Sequence, residues 1–368
     1  MKIGVLTSSR ADYGIYNSLL KLLFNDQRFD LHIIAFGMHL QPQYGNTIEQ
    51  IKNDNYGIIH TVIGMSENDN NKDISSGYGK LIINFSNFWN SNKFDWVFAL
   101  GDRFEMSAAV QSGIPFQVNY AHIHGGETTM GAIDNIYRHQ ISLASKLHFT
   151  SSALFSQKVS EIVGYSNNIY NVGSLSLDKI DFDNLPSWNK VCKIFNIPDK
   201  PFILVTFHPE TIGINQNINL IKVISNCLTK LSRQVHIVIT QANADAEGSL
   251  YRDLAIKLKN DNPASFSVVE SFGKINYFSA MKNCEFLLGN TSSGIIEAAS
   301  FRKFTLNVGE RQSGRLRSEN VIDVDCNSKE ILYNANTIMN NNVFTGENKY
   351  YKPNTALEII KIIKENEL

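Results

Sequence analysis

Cysteine is scarce in this chain. Four occur in 368 residues, at Cys192, Cys227, Cys284 and Cys326, far apart and without a CxxC pair. Such spacing offers neither a disulfide framework nor a zinc ribbon, and it reads as reduced thiols in a cytoplasmic protein. Net charge is equally thin: 34 Lys and Arg face 35 Asp and Glu, a formal −1. No global field therefore selects nucleic acid or an anionic membrane. Charged residues make up only 19%, so a charged ligand has to be held by a local cluster. No apolar run approaches the ~20 residues that span a bilayer. The start, Met1 to Leu6, has too short an apolar core for a secretion signal. Neither GxGxxG nor GxxxxGK[ST] occurs, which removes the nicotinamide fingerprint and the P-loop. What remains is a soluble, cytoplasmic chain with 43% hydrophobic residues, long enough for about two domains.

Short apolar runs alternate with helical patterns. Lys2 to Leu6, Leu31 to Phe36, Ile58 to Ile63, Trp96 to Leu100, Gln117 to Ile123 and Leu147 to Thr150 read as strands. Helical periodicity lies near 13–24, 41–54, 74–90, 103–113, 133–145 and 151–163. That rhythm predicts a doubly wound α/β fold with a parallel sheet. Leu177 to Pro201 changes character, with Pro186, Pro198 and Pro201 among polar residues. The rhythm then restarts with Phe202 to Phe207, His236 to Thr240, Phe266 to Glu270, Phe286 to Leu288, Phe304 to Val308 and Val321 to Val324. The reading is two Rossmann-like domains, 1–180 and 181–353, facing a cleft. The apolar segment 354–368 opens on a capping-box pattern, Thr355 to Glu358, and can return to the first domain. Asn68 to Lys72 reads as a polar loop.

Chemistry concentrates at strand ends, where such sheets bind ligands. Gly289-Asn-Thr-Ser-Ser-Gly-Ile-Ile-Glu297 is a strand end, a small-residue turn and a helix start. Unpaired helix N–H groups, two glycines and three hydroxyls suit a phosphate, with Ser292, Ser293 and Gly294 nearest. Glu297, one turn in, suits the hydroxyls of a ribose; simple capping of a core helix is the bland alternative. Arg10 follows the first strand and precedes a helix, a position that points it into the cleft as a ligand-binding group; a surface pair with Asp12 is the plain alternative. Gly101-Asp102-Arg103 ends the fourth strand. Asp102 is a base with Arg103 as its charge partner, or merely an N-cap. His122-Ile-His124-Gly-Gly-Glu127 ends the next, followed by Asp134, Arg138 and His139, with Asp134 and Arg138 spaced to pair on one helical face. His122 and His124 also raise a metal site as a secondary reading. In the second half, Phe207-His208-Pro-Glu-Thr211 lies just past a strand. Arg311 to Arg317 forms a basic loop able to clamp a diphosphate.

Jointly and in this order, these motifs resemble the hydrolysing UDP-N-acetylglucosamine 2-epimerases of sialic-acid-type sugar biosynthesis. The resemblance spans nearly the whole chain. It implies a GT-B-like pair of domains and a UDP-sugar as the ligand, with UDP mainly on the second domain. It implies a homo-oligomer, dimer or tetramer, and neither cofactor nor metal. Ser292, Ser293, Arg10, His208 and Arg315 would hold the diphosphate, Glu297 the ribose, and the Ser271-Phe272-Gly273 loop the uracil. Asp102 and Asp134 are carried over as catalytic carboxylates. One departure stands out: many relatives have Glu where this chain has His124, within a His-x-Glu-Gly-Gly pattern. Either His124 or Glu127 then takes that role, and the position along the strand favours His124.

The implied reaction removes H2 and UDP to give a glycal, adds water at C1 and returns a proton to C2, releasing N-acetylmannosamine. Acids and bases alternate in that scheme. The alternatives are the same reaction on UDP-2,4-diacetamido-2,4,6-trideoxyglucose, a GT-B glycosyltransferase, and a non-enzymatic UDP-sugar sensor. A sensor has no use for Asp102, His124, Glu127 and Asp134 together.

Overall fold

The computed structural model describes residues 1–45, 47–65, 70–129, 133–180, 182–210, 217–241, 248–340 and 343–367. Thr211, at the end of the His208 motif, and Asn68 of the polar loop lie outside them. The chain forms two compact units. One comprises Met1–Glu127, Asp134–Ile180 and Tyr350–Leu368; the other, Thr128–Ile133 and Asp181–Lys349.

The first unit is built on strands β1 (Lys2–Thr7), β2 (Asp30–Phe36), β3 (Ile58–Val62), β4 (Trp96–Leu100), β5 (Tyr120–Ile123), β6 (Ser145–Thr150) and β7 (Ile169–Asn171). They form one parallel sheet in the order β3-β2-β1-β4-β5-β6-β7. Both faces of the central strands β1, β4 and β5 are covered, so these are largely apolar rather than alternating. Ile33, Ala35 and Phe98 enter one core with the helix Arg10–Asn25, whereas Ile34, Phe36, Val97 and Ala99 enter the other with Leu81, Phe85 and Trp89. β7, three half-buried residues, carries no apolar run and was not anticipated. Gln117 to Asn119 do not extend β5, because a 3-10 turn at Ile114–Phe116 ends with Gln117 in the left-handed region at φ 56°.

The final helix, Thr355–Glu365, joins the first core through Ala356, Ile359, Ile360, Ile362 and Ile363, alongside Tyr16 and Leu20. Each buried Ile is worth about 1.5–3 kcal/mol as an upper bound, enough to dock a helix of this length. The capping box expected at Thr355 is absent. Asn354 is the N-cap, and Thr355 Oγ1 instead donates to Val172 O at 2.8 Å.

The second unit repeats the plan with β8 (Phe202–Thr206), β9 (His236–Thr240), β10 (Phe266–Val269), β11 (Leu287–Gly289), β12 (Thr305–Val308) and β13 (Val321–Val324). Its parallel order is β10-β9-β8-β11-β12-β13. The Pro-containing segment ahead of it holds a helix, Trp188–Phe195, whose Trp188 stacks on Phe202 with centroids 4.3 Å apart. In each sheet the order reverses once, between β1 and β4 and between β8 and β11. The carboxyl ends flanking those points are where a doubly wound sheet offers its crevice.

Candidate active site

Around the reversal in the first unit, β1 delivers Ser8, Ser9 and Arg10. Asp12 does not pair with Arg10 as a surface residue. Its carboxylate is buried, accepts from the N–H of Ser8 and Ser9 and from Ser8 Oγ, and closes a capping box with Ser9. Arg10 is the half-buried first residue of the helix Arg10–Asn25. Arg103 forms a two-point ion pair with fully buried Glu105, at 2.9 and 3.1 Å. Burial raises the carboxyl pKa of both Asp12 and Glu105, and the Arg103 charge works against that rise at each.

Asp102 does not cap the following helix, whose N-cap is Arg103. Its carboxylate instead meets Arg138. Arg138 is 1% exposed and also donates to Glu127 O. Arg138 thus turns to Asp102 and the Glu127 backbone rather than to Asp134, which opens the helix Asp134–Ala144 and is half-buried. His122 supports the same corner. Its Nε2 lies 2.9 Å from Gly101 O, an acceptor only, so the proton sits on Nε2 and Nδ1 accepts from Ser142 Oγ at 3.0 Å. Burial drives its pKa down to about 3, fixing a neutral strut beneath Asp102.

His124, Gly125, Gly126 and Glu127 form a tight turn after β5. Gly126 has φ +79°, and a Cβ there would stand 2.3 Å from Phe155 O. Only glycine allows so close an approach. The turn returns Glu127 to His124, with Oε1 3.4 Å from Nδ1, and Ser151 Oγ donates to the same oxygen at 2.8 Å. Among the described residues no group of three His, Cys, Asp or Glu side chains is placed to hold a metal ion.

In the second unit β8 and β11 run into His208 and the Gly289 turn. A Cβ on Gly289 would fall 1.8 Å from Thr206 O. Gly294 is required for packing, since its Cβ would meet Thr305 Cγ2 at 2.6 Å. Ser292 and Ser293 open the short helix Ser292–Ile296, and Glu297 follows at its C-cap, 8% exposed. Phe272 differs from an open uracil platform. Its ring is 4% exposed and meets Phe195 edge-on at 4.7 Å. Gly273 beside it is exposed, with φ +67° and nothing within 4 Å of a Cβ. Arg315 is half-buried in the loop after β12, its N–H bonded to Gln312 O at 3.3 Å.

Several residues escaped sequence reasoning. Asn290 clamps His208 from both sides, accepting its N–H at 2.7 Å and donating to its carbonyl at 2.9 Å. Tyr277 OH lies 2.6 Å from Ser293 Oγ. Ser151 stands at a strand end, where a search for polar residues finds it. Tyr277, one helical residue among many, gave no signal.

The UDP-N-acetylglucosamine 2-epimerase family model matches residues 21–364. The chain belongs to that family. It is 32% identical, over 99% of its length and 95% of the other's, to a UDP-N,N'-diacetylbacillosamine 2-epimerase (hydrolyzing) of Legionella pneumophila. It is 29% identical, over 99% and 94%, to a polysialic acid biosynthesis protein of Escherichia coli. In three dimensions this epimerase-family chain superposes with TM-score 0.79 on the UDP-GlcNAc 2-epimerase of Neisseria meningitidis bound to UDP-GlcNAc, covering all of both chains at 16% identity. The two-sheet, GT-B-like fold expected from the sequence is the fold of those enzymes.

Proposed function

We propose that the chain is a hydrolysing 2-epimerase of a UDP-linked 2-acetamido sugar. A base takes H2, the C–H electron pair becomes the C1=C2 bond, and the C1–O pair leaves with UDP. Water then adds at C1 of the glycal and an acid protonates C2 from the other face, releasing the free manno sugar. C2–H is not acidic by itself, so the step depends on stabilising the departing diphosphate. Ser292, Ser293, Arg10, His208 and Arg315 are assigned to that task, Glu297 to the ribose, and Asp102, Asp134 and the His124–Glu127 pair to the protons. The observation that carries this reading is the corner at the ends of β4 and β5. Asp102 is set on Arg138 there, and Glu127 on Ser151 and His124. Acids and bases so constrained serve proton transfer rather than mere ligand capture.

UDP-N-acetylglucosamine is the substrate in the family description. A second reading, UDP-N,N'-diacetylbacillosamine, is favoured by the Legionella relative of that name. The test offers both nucleotide sugars side by side in deuterated buffer. Free UDP together with C2 deuterium in the released sugar is the expected result, and the faster substrate is the physiological class. UDP release without C2 deuterium would refute epimerisation.

A further inference from the structure

His124 sits at the end of β5 with φ +66°, in the left-handed region, while its N–H still reaches Phe149 O at 2.8 Å. Its two ring nitrogens face different partners. Nδ1 is 3.4 Å from Glu127 Oε1. Nε2 receives the backbone N–H of Leu175 at 3.3 Å and lies 3.4 Å from Ser174 Oγ. A backbone N–H can only donate, so Nε2 must present its lone pair. In the neutral ring the proton is then on Nδ1, aimed at the carboxylate. For the ring to take a second proton, Nε2–H would have to confront Leu175 N–H, with the side chain only 7% exposed. For it to give one up, it would lose its bond to Glu127. The bulk of the imidazole is thus spent on holding a neighbour.

We propose that His124 is a positioning residue, locked as the Nδ1–H tautomer by Leu175, and that Glu127 moves the proton. Glu127 acts in one of the two half-reactions. As carboxylate it takes H2 while the C–H pair forms C1=C2 and UDP leaves with the C1–O pair. As acid it returns a proton to C2 while water adds at C1. Ser151 Oγ and His124 Nδ1 hold its Oε1 in place for either step. This assignment rests on the 2-epimerase reading; the tautomer lock follows from the geometry alone.

The experiment compares His124→Asn, His124→Gln, His124→Ala and Glu127→Gln by UDP release, C2 deuterium incorporation and UDP binding. Asn tolerates positive φ and sets an amide nitrogen near the Nδ1 position. It therefore keeps the donor to Glu127, yet an amide cannot carry a proton. His124→Asn is expected to keep kcat within about 10-fold of wild type with KM little changed. His124→Gln and His124→Ala, which misplace Glu127, are expected to lose about 100-fold in kcat, and Glu127→Gln about 10²–10⁴-fold. If His124→Asn is as inactive as Glu127→Gln while UDP binding persists, His124 is the proton carrier and the proposal fails. A second measurement does not depend on turnover. Two-bond ¹⁵N–¹H spectra of the histidine-labelled chain, with the His124 signals identified by their loss in His124→Asn, report the tautomer. Nδ1–H at pH 7 is expected; Nε2–H or an imidazolium overturns the lock. If the wild-type protein releases no UDP from either nucleotide sugar, the reaction reading falls and takes the Glu127 role with it, while the spectrum still decides the lock.

Discussion

Asn290→Ala is the substitution through which the nucleotide half of the site can be judged most sharply. The Asn290 side chain is 3% exposed and satisfies both backbone groups of His208, itself 6% exposed. Truncation removes the Asn290 bonds from a buried N–H and a buried carbonyl of His208. Each such loss costs up to about 1–3 kcal/mol, so the local loss is at most on the order of 2–6 kcal/mol. The main chain of Asn290 remains held, its N–H by Thr206 O at 3.1 Å and its carbonyl by Gln312 Nε2 at 2.8 Å. The damage therefore falls on the His208 segment rather than on the Gly289 turn. Hydrogen exchange of peptides covering 202–210 reads that opening directly, and calorimetry with UDP reads its effect on the ligand. Faster exchange there, with weaker UDP binding, is expected. Asn290→Asp keeps the acceptor but turns a carboxylate toward the His208 carbonyl, and its UDP affinity is expected to fall further. Unchanged protection and affinity in Asn290→Ala would refute the clamp as the device that sets His208.

Replacing Ser292 and Ser293 together by Ala is expected to weaken UDP binding by about 1–3 kcal/mol if both hydroxyls bond phosphate; an unchanged calorimetric Kd would move the phosphate elsewhere. Asp102→Asn and Asp134→Asn are each expected to bind UDP nearly as wild type yet lose turnover, and a variant with wild-type rate removes that residue from the chemistry. Acid is expected to weaken the first unit. Burial lowers the pKa of His39 to about 4, His122 to about 3 and His148 to about 4. Below pH 6.5 the unfolded chain binds protons that the folded one refuses. Stability is thus fully present above 6.5 and falls as pH drops toward the folded values, by up to about 1.4 kcal/mol per pH unit for each ring. Exchange protection in β1, β5 and β6 that stays constant between pH 7 and 5 would contradict this.

Strands were legible wherever a buried parallel sheet makes apolar runs, from Trp96–Leu100 to His236–Thr240. They were illegible where pairing alone makes the strand, as in Ile169–Asn171. The glycine turns at Gly126 and Gly289 announced themselves, since contact distances there exclude any side chain. What the sequence conceals is partnership. Arg103 follows Asp102 directly yet pairs with Glu105, whereas Arg138, 36 positions away, reaches Asp102. Tautomers are hidden for the same reason. His122 and His124 read alike along the chain, but the Gly101 carbonyl accepts from Nε2–H of one, and the Leu175 amide bars a proton from Nε2 of the other.

The placement of Thr355–Glu365 also has a consequence for synthesis. Ile359, Ile360 and Ile363 belong to the same core as Ile3, Tyr16 and Leu20, and Trp96 Nε1 bonds Asn366 O at 3.1 Å. On a ribosome adding about 5–20 residues per second, the earliest helix emerges with its apolar stripe uncovered. The stripe stays so for about 15–70 seconds, while the rest of its own unit and the whole of the other are made. The core of the first unit is therefore completed late in translation, when Thr355–Glu365 becomes free to dock on it.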